Sequence, residues 1–244
     1  MIKINNLTKK YKDKLAVNNL NLEIKTGELF SLLGTNGAGK TTTIKMLSTL
    51  ILPTSGEVEI NNLDLVKDSS KIKEIINISP QETAVASNLT VLENLYFMAG
   101  IYQIPNKENK IKELIKLFKL EEVLKQKAKT LSGGYQRKLS IAISLINNPK
   151  ILFLDEPTLG LDVISRHDLW KVIEALKGKT TIILTTHYME EAEVLSDRIG
   201  IMNKGELIEL GTSKELIKKA KTKNFEDAFI KIIEEDNNEN TNIC

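Results

Sequence analysis

Cysteine is almost absent from this 244-residue sequence, where the single example is Cys244, the last residue. One cysteine cannot form an internal disulfide, so the cysteine content gives no indication of a secreted protein. The opening residues MIKINNLTKK lack the apolar stretch of a signal peptide, and no apolar run approaches the roughly 20 residues that cross a bilayer. We therefore expect a soluble chain, whose action at a membrane would require a partner.

A strong excess of one charge is also missing. Lysine and arginine number 34 and aspartate and glutamate 32, which gives a net charge of +2. Because the charges are mixed in sign along the chain, this balance does not support nucleic-acid binding. Hydrophobic residues make up 41% of the sequence and charged residues 27%, as in ordinary globular proteins, so most of the chain is expected to fold around a core.

Strand and helix patterns alternate along much of the chain. Alternating apolar residues predict strands at Ile2–Leu7 and Val17–Ile24, and the continuously apolar run Glu28–Leu33 predicts a strand buried on both faces. This alternation predicts an α/β fold with a largely parallel sheet. The later predicted strands are Glu57–Ile60, Ile75–Ile78, Ile151–Asp155, Thr180–Thr185, Arg198–Met202 and Glu206–Leu210, and the helices between them are Ser165–Leu176 and Glu190–Leu195.

The middle of the chain has a different pattern. Thr90 and Glu93 form a capping-box pattern, and Ile111, Leu114, Ile115 and Phe118 follow the spacing of one helix face. Residues 88–148 are therefore predicted to be mostly helical and inserted between two β-containing parts. At the other end of the chain, the polar composition of residues 236–244 predicts a disordered tail.

The strongest functional motif is GTNGAGKT, which matches the phosphate-loop pattern G-x-x-x-x-G-K-[ST] through Gly34, Gly39, Lys40 and Thr41. Glycines let such a loop curl so that backbone N–H groups surround phosphate oxygens. Lys40 is then expected to reach the β- and γ-phosphates, and the Thr41 hydroxyl to bind Mg²⁺. The alternative is an ordinary glycine-rich turn. The position after a predicted strand and before a predicted helix favours the phosphate loop.

A second motif, ILFLDEP, places Asp155 at the end of a predicted buried strand. Ligands of open α/β sheets bind at the carboxyl ends of the strands, where a carboxylate can hold Mg²⁺. The next residue, Glu156, is a candidate for polarising the water that attacks the γ-phosphate. An acidic turn after a strand is common, so this motif indicates a nucleotide site mainly because the phosphate loop occurs in the same chain.

Three further residues give weaker signals. His187 follows the predicted strand TTIILTT and would lie near a γ-phosphate, although a lone histidine is more often structural. Gln81 follows another strand and becomes a candidate metal ligand once a metal is nearby. Tyr11 has an aromatic face that can stack on a purine, but most tyrosines simply pack.

The segment LSGGYQRK contains two glycines at a helix start, where a single serine would already cap the helix. Such a start offers free backbone N–H groups and the hydroxyl of Ser132 to a phosphate. This second helix start either completes the same phosphate site within the molecule or serves a site shared between two molecules. The spacing along the sequence leaves both arrangements open.

In their order along the chain, these motifs resemble the nucleotide-binding subunit of ATP-binding cassette (ABC) transporters. GTNGAGKTT corresponds to the family's Walker A motif, LSGGY to its signature and ILFLDEP to Walker B. Tyr11 lies at the aromatic-loop position, Gln81 at the Q-loop, Leu159–Asp162 at the D-loop and His187 at the switch position. The resemblance covers roughly residues 1–215.

The resemblance implies that ATP lies between Walker A of one subunit and the signature of another, with Mg²⁺ as the second cofactor. Glu156 would be the catalytic base and His187 its partner, while Arg137 and Lys138 would support the signature helix. Metal ligands would come from Thr41, Gln81 and Asp155. The implied cofactor-binding residues are Tyr11, Gly34, Asn36, Gly37, Ala38, Gly39, Lys40, Thr41, Thr42, Gln81, Ser132, Gly133, Gly134 and Asp155.

The resemblance also implies a fold and partners. We expect a single domain over residues 1–235, with a P-loop NTPase core at about 1–87 and 149–220 and an antiparallel β region near the N-terminus. The helical insert at 88–148 would couple, with the Q-loop, to membrane helices. The expected partners are a separate polytopic membrane permease and a second ATP-binding subunit, identical or paralogous, with no nucleic acid. The chain would then lie at the cytoplasmic face of the membrane.

The segments TTHYMEEAEVLSDRIGIMNKGELIELGT and NFEDAF resemble the bacterial subfamily that exports drugs, antibiotics or lipid-linked molecules. Two residues depart from the family pattern: Tyr135 replaces the usual glutamine of the signature, and Val163 follows the D-loop where proline is frequent. Neither departure removes a group assigned to chemistry. They bear on contact details and rate.

Two other functions compete with a transport ATPase. The first is a soluble ABC protein acting on ribosomes or DNA. Translation-factor members resemble two fused cassettes, and DNA-repair members carry a long coiled coil, whereas this chain has one phosphate loop and no sustained heptads. The second is a regulatory module with a decayed site, against which the presence of Lys40, Asp155, Glu156 and His187 argues.

Overall fold

Two β-sheets form the frame of the molecule. The computed structural model describes residues 1–241, with side chains through residue 238. Its strands are β1 (Ile2–Tyr11), β2 (Lys14–Ile24), β3 (Leu29–Gly34), β4 (Ser55–Ile60), β5 (Leu63–Asp64), β6 (Ile76–Ser79), β7 (Ile151–Asp155), β8 (Thr181–Thr186), β9 (Arg198–Asn203) and β10 (Glu206–Gly211). The first sheet has the order β2-β1-β4-β5 and the second β10-β9-β3-β8-β7-β6.

The two sheets differ in strand direction. All pairs in the four-stranded sheet are antiparallel. In the six-stranded sheet β9, β3, β8, β7 and β6 pair in parallel, and only the edge strand β10 is antiparallel. Every residue of β3, β7 and β8 is buried, as expected of parallel strands covered on both faces. The prediction of an α/β fold with a largely parallel sheet and an N-terminal antiparallel region is confirmed.

Helices surround these sheets and fill the middle of the chain. Within the described residues, they are α1 (Lys40–Leu47), α2 (Ser69–Ile75), α3 (Val91–Ile101), α4 (Lys107–Phe118), α5 (Gly133–Ser144), α6 (Val163–Leu176), α7 (Met189–Leu195), α8 (Ser213–Ala220) and α9 (Phe225–Thr241). The predicted capping box of Thr90 and Glu93 is present at the start of α3. None of these helices combines the length and the apolar composition needed to cross a bilayer.

The predicted helical insert packs directly on the parallel sheet. Val91 of α3 and Phe118 of α4 belong to the same buried hydrophobic cluster as Leu152 of β7 and Leu184 of β8. A second buried cluster joins α1 to both sheets and includes Ile44. Burial of apolar area is the main stabilising term in such a core, so the insert and the sheet support each other.

Parallel pairing brings three loops to one edge of the sheet. Strands β3, β8 and β7 are neighbours, with Leu33 opposite Thr186 and Asp155 opposite Thr185. Each strand therefore ends at nearly the same level. The loop after β3, the residues after β7 and His187 after β8 emerge together, at the carboxyl edge where α/β proteins bind ligands.

Some elements were not predicted from the sequence. Helix α2 has seven residues and buries one of them, Ile72, too short a pattern to show helical periodicity. The polar tail is a correction: the last helix continues to Thr241, so the prediction of disorder is wrong for residues 236–241. Asn203 of β9 donates hydrogen bonds to Asp236 and Asn237, which ties this polar helix to the sheet. Residues 242–244 lie outside the described residues.

The C-terminal helix contributes to the core, and this predicts a difference between two of its residues. Phe225 is 1% exposed in a cluster with Leu33 and Leu216, whereas Ile230 is 46% exposed. Phe225→Ala is expected to lower the free energy of unfolding by about 3 kcal/mol or more, because it leaves a cavity. Ile230→Ala should cost less than about 1 kcal/mol. Urea denaturation of both variants measures the contrast, and equal losses would contradict the packing of α9.

Candidate nucleotide-binding site

The loop between β3 and α1 follows a path that requires glycine. Gly39 has a φ of 101° and Gly37 a φ of 82°, both in the left-handed region that L-residues rarely adopt. A Cβ atom on Gly34 would lie 2.3 Å from the carbonyl oxygen of Met202, and one on Gly39 would lie 2.5 Å from that of Ala16. The loop is thus held tightly against its neighbours, and it borders an open space.

That space is a cavity of about 360 Å³ at the carboxyl edge of the parallel sheet. The phosphate loop forms one side of it, and strand β2 and the loops that follow β6, β7 and β8 contribute the rest. The lining residues are Lys14, Ala16, Asn36, Gly37, Ala38, Gly39, Lys40, Thr41, Thr42, Gln81, Glu156, Leu159 and His187. Ten of these residues are among those predicted to bind or act on the nucleotide.

Lys40 lies buried at the base of the cavity, 5% exposed. Its Nζ donates hydrogen bonds to the carbonyl oxygens of Gly34 at 2.8 Å and Thr35 at 3.1 Å, and it lies 3.5 Å from Oε1 of Glu156. Burial lowers the pKa of the Lys40 ammonium, and the Glu156 carboxylate opposes that shift. A cation held by weak carbonyl partners is well placed to exchange them for phosphate oxygens.

Asp155 is buried next to the phosphate loop. Its Oδ1 accepts hydrogen bonds from the hydroxyls of Thr41 at 3.0 Å and Thr185 at 2.5 Å. Gln81, an exposed residue, contributes to the lining of the same cavity. The donor set of a threonine hydroxyl, one carboxylate and one amide oxygen consists of the hard oxygen ligands that Mg²⁺ prefers alongside substrate phosphates, so these residues fit the metal.

Glu156 and His187 form a close pair at the cavity wall. Nδ1 of His187 lies 2.7 Å from Oε2 of Glu156, and Glu156 is 6% exposed. Glu156 has a φ of 49°, and its N–H donates to the carbonyl and hydroxyl oxygens of Thr185. Positive φ is costly for a non-glycine residue and persists where neighbouring contacts enforce it, which is common at functional sites.

Tyr11 lies at the end of β1, 43% exposed, where it pairs with Lys14 across the β1–β2 hairpin. Within the described residues, the cavity lining includes Lys14 and Ala16 from this hairpin but not Tyr11. The hairpin therefore reaches the site. Sequence reasoning missed Lys14 and Ala16 because no motif marks them and the hairpin register is set by tertiary pairing.

The three signature residues Ser132, Gly133 and Gly134 make different contacts within the chain. Ser132 caps α5, its hydroxyl accepting a hydrogen bond from the N–H of Tyr135 at 3.4 Å. A Cβ on Gly134 would lie 2.8 Å from Oγ of Ser165, whereas one on Gly133 would meet nothing within 4 Å. In the described part of the chain, none of Ser132, Gly133 and Gly134 lines the cavity. Of the two arrangements left open by the sequence, a site shared between molecules suits this placement better.

Two buried charged residues were not assigned to the site. Arg137, 3% exposed, donates hydrogen bonds to the backbone carbonyls of Asp155 and Glu156. Glu191 of α7 is fully buried, accepts a hydrogen bond from Nε1 of Trp170 at 3.0 Å, and has a pKa raised by burial. The sequence shows the charges but not their burial, so only the structure reveals these contacts.

A family model described as ABC transporter matches residues 17–159, more than half of the chain. The chain belongs to the ABC transporter family. This confirms the relationship predicted from the order of the motifs.

One relative of this chain is LnrL, a linearmycin resistance ATP-binding protein of Bacillus subtilis (strain 168). The two sequences are 40% identical, and the match covers 88% of this chain and 70% of LnrL. The human phospholipid-transporting ATPase ABCA3 is 44% identical over 87% of this chain. YbhF, a probable multidrug ABC transporter ATP-binding protein of Escherichia coli (strain K12), is 38% identical over 99% of this chain. The chain spans only 13% of the length of ABCA3 and 43% of the length of YbhF.

Solved structures of ABC cassettes share the fold. The ATP-binding subunit of an ABC transporter superposes with a TM-score of 0.85 and 26% identity, covering 95% of this chain and 99% of its own. The ATP-binding cassette MJ0796, in a dimeric post-hydrolysis state bound to ADP and Pi, superposes with a TM-score of 0.79 and 31% identity. The match covers 87% of this chain and 98% of MJ0796.

The geometry of Gly39 predicts that a substitution at this position lowers the affinity of the ABC cassette for ATP. Gly39→Ala is expected to weaken ATP binding by at least about tenfold, because the new Cβ would meet the Ala16 carbonyl and distort the loop. Gly178→Ala is the matched control: Gly178 also has a positive φ, but its Cβ would meet nothing within 4 Å. Both substitutions should cost about 1–3 kcal/mol of backbone strain. Calorimetric titration with ATP separates the two, and parental affinity in Gly39→Ala would contradict the loop geometry.

Proposed function

We propose that this chain is the ATP-binding and ATP-hydrolysing subunit of an ABC transporter and drives a separate membrane permease. The observation that carries the proposal is the Glu156–His187 pair, 2.7 Å apart, in the wall of the cavity formed by the phosphate loop. A carboxylate paired with an imidazole beside a phosphate site is an arrangement suited to activating water. Membership of the ABC family supports the same chemistry.

The phosphate loop binds the triphosphate in this proposal. The backbone N–H groups of residues 34–41 and the N-terminus of α1 receive the phosphate oxygens, since both carry positive partial charge. Lys40 gives up its carbonyl partners in favour of the β- and γ-phosphates. Thr41, Asp155 and Gln81 would hold Mg²⁺, which would neutralise phosphate charge. Tyr11, on the hairpin that reaches the cavity, contacts the base.

Glu156 acts as the general base on the attacking water. It is buried, so its carboxylate oxygens have few competing water contacts, and His187 fixes one of them through the 2.7 Å contact. Oε1 of Glu156 lies toward Lys40, the residue proposed to reach the γ-phosphate. Lys40, Glu156 and His187 all line the cavity, so the pair would face the space where the γ-phosphate and the water meet.

A complete site requires a second cassette in this proposal. Ser132, Gly133 and Gly134 present a capped helix start but do not line the cavity of their own chain, so they would serve the nucleotide of a partner chain. The dimeric MJ0796 cassette bound to ADP and Pi supports such an assembly. Closure on ATP and release after hydrolysis would then supply the motion. The second cassette is an identical copy or a paralogue.

Export from the cytoplasmic face of a membrane is the transport direction we propose. The names of similar proteins mention linearmycin resistance, multidrug transport and phospholipid transport, which supports export. A further structural relative, cbiO1 from Clostridium perfringens, is described as part of the ABC transporter complex cbiONQ. This relative supports a transport complex that includes further components.

Glu156→Gln tests the proposed base. This variant should bind ATP with parental affinity and accumulate an ATP-bound dimer, because the amide keeps the shape of the side chain but cannot take up the proton. Turnover should fall by at least about 100-fold, the usual contribution of a general base. Glu122→Gln, an exposed carboxylate in the helical insert, is the control and should hydrolyse ATP at the parental rate. Parental turnover in Glu156→Gln would show that another group is the base.

Co-purification tests the partner. Affinity purification of the tagged chain from gently solubilised cells is expected to bring down a polytopic membrane protein in a stoichiometric amount. ATP hydrolysis measured on that complex should depend on Mg²⁺. Recovery of ribosomes or DNA in place of a membrane protein would favour the soluble ABC class and contradict the transporter assignment.

A further inference from the structure

Arg137 is the most heavily bonded side chain near the proposed catalytic residues. It lies on α5, 3% exposed, and its guanidinium donates four hydrogen bonds to backbone carbonyls. The distances are 2.6 Å to Pro80, 3.2 Å to Asp155, 2.5 Å to Glu156 and 2.7 Å to Pro157. One side chain thus joins the signature helix to the segment before Gln81 and to the turn after β7.

The residue type suits this task. A guanidinium is planar and presents five N–H donors in a fixed fork, so it can hold several carbonyls in one arrangement. Among the residues that the structure describes, no carboxylate forms an ion pair with this buried charge, whose hydrogen bonds go to backbone carbonyls. Burial lowers the pKa of Arg137, and the negative charges of Asp155, Glu191 and Glu156 oppose that shift. Removing the guanidinium from water therefore costs free energy. The four hydrogen bonds to carbonyl oxygens and the three nearby carboxylates offset that cost.

The backbone that Arg137 holds is the strained one. Glu156 has a φ of 49°, and its carbonyl accepts the shortest of the four hydrogen bonds. The carbonyls on both sides of Glu156, those of Asp155 and Pro157, are also bound by the same guanidinium. On the other side of the peptide, Thr185 binds the N–H of Glu156. With these contacts, the direction of the Glu156 side chain toward His187 is fixed through its backbone.

We infer that Arg137 is a positioning residue for ATP hydrolysis: its guanidinium holds the strained backbone of Glu156 so that the carboxylate faces the cavity beside His187. This inference rests on the proposed role of Glu156 as base. It also links two sites, because Arg137 lies about one helical turn from Gly133 and Gly134 on the same helix. If Ser132–Gly134 moved on binding the nucleotide of a partner chain, Arg137 would transmit that movement to Glu156 of the same chain.

The test compares Arg137→Lys with the parent in membranes that contain the transport partner. Lysine keeps the charge and the apolar stem but cannot bind four carbonyls in a fork. We expect kcat to fall at least about tenfold while the KM for ATP and the melting temperature stay near parental values. Lys73→Gln is the control: it removes an exposed cation from α2, outside the signature helix and the cavity lining, and should leave kcat unchanged.

A double variant separates positioning from general stabilisation. If Arg137 acts through Glu156, adding Arg137→Lys to Glu156→Gln should lower kcat no further than Glu156→Gln alone. Should Arg137→Lys fail to fold, Arg137→Gln, which retains an amide donor, replaces it in the same cycle. Independent, multiplicative losses would overturn the inference, as would a parental kcat in Arg137→Lys.

The two proposals fail in different ways. Parental turnover in Glu156→Gln removes the proposed base and, with it, the group that Arg137 would position. An inactive Glu156→Gln combined with an unaffected Arg137→Lys leaves the proposed function standing and overturns the Arg137 inference alone. Equal losses of kcat, ATP affinity and melting temperature in Arg137→Lys would mark a structural role and also overturn it.

Discussion

The parallel pairing of β3, β8 and β7 is the constraint on which the candidate site depends. Leu33 lies opposite Thr186, and Asp155 lies opposite Thr185, so three strand ends stop at one edge of the sheet. The phosphate loop, the acidic pair and His187 come from positions as much as 153 residues apart, and no local motif could bring them together. A shift of one residue in this register would turn Asp155 away from Thr41 and break their hydrogen bond.

Several charged side chains at the carboxyl edge of the parallel sheet are buried, although their burial does not favour the stability of the fold. Lys40, Asp155, Glu156 and Arg137 are each 6% exposed or less, and removing such groups from water is costly. The structure offsets the cost with mutual contacts: Lys40 lies 3.5 Å from Glu156, and Arg137 donates hydrogen bonds to the backbone carbonyls of both acidic residues. The left-handed Glu156 adds backbone strain at the same point. Concentrated strain and buried charge are typical of a site preorganised for chemistry.

Sequence reasoning identified the residues whose chemistry is encoded locally. The phosphate loop, Walker B and the capping box at Thr90 were found because each depends on spacing within about ten residues. It missed what depends on tertiary contact: the contribution of Lys14 and Ala16 to the cavity, and the burial of Arg137. The helical course of residues 236–241 was missed because polar composition was taken as disorder, whereas hydrogen bonds from Asn203 anchor that helix.

The two glycines of the signature show how structure divides a motif into separate requirements. Gly134 is required by packing within the chain, since a Cβ there would lie 2.8 Å from Oγ of Ser165. Gly133 has open space on the side where a Cβ would stand, and its φ is not in the left-handed region. No contact in the described part of the chain therefore requires glycine at this position. The proposed second cassette would explain it, because a nucleotide held by that cassette would then approach the capped start of α5.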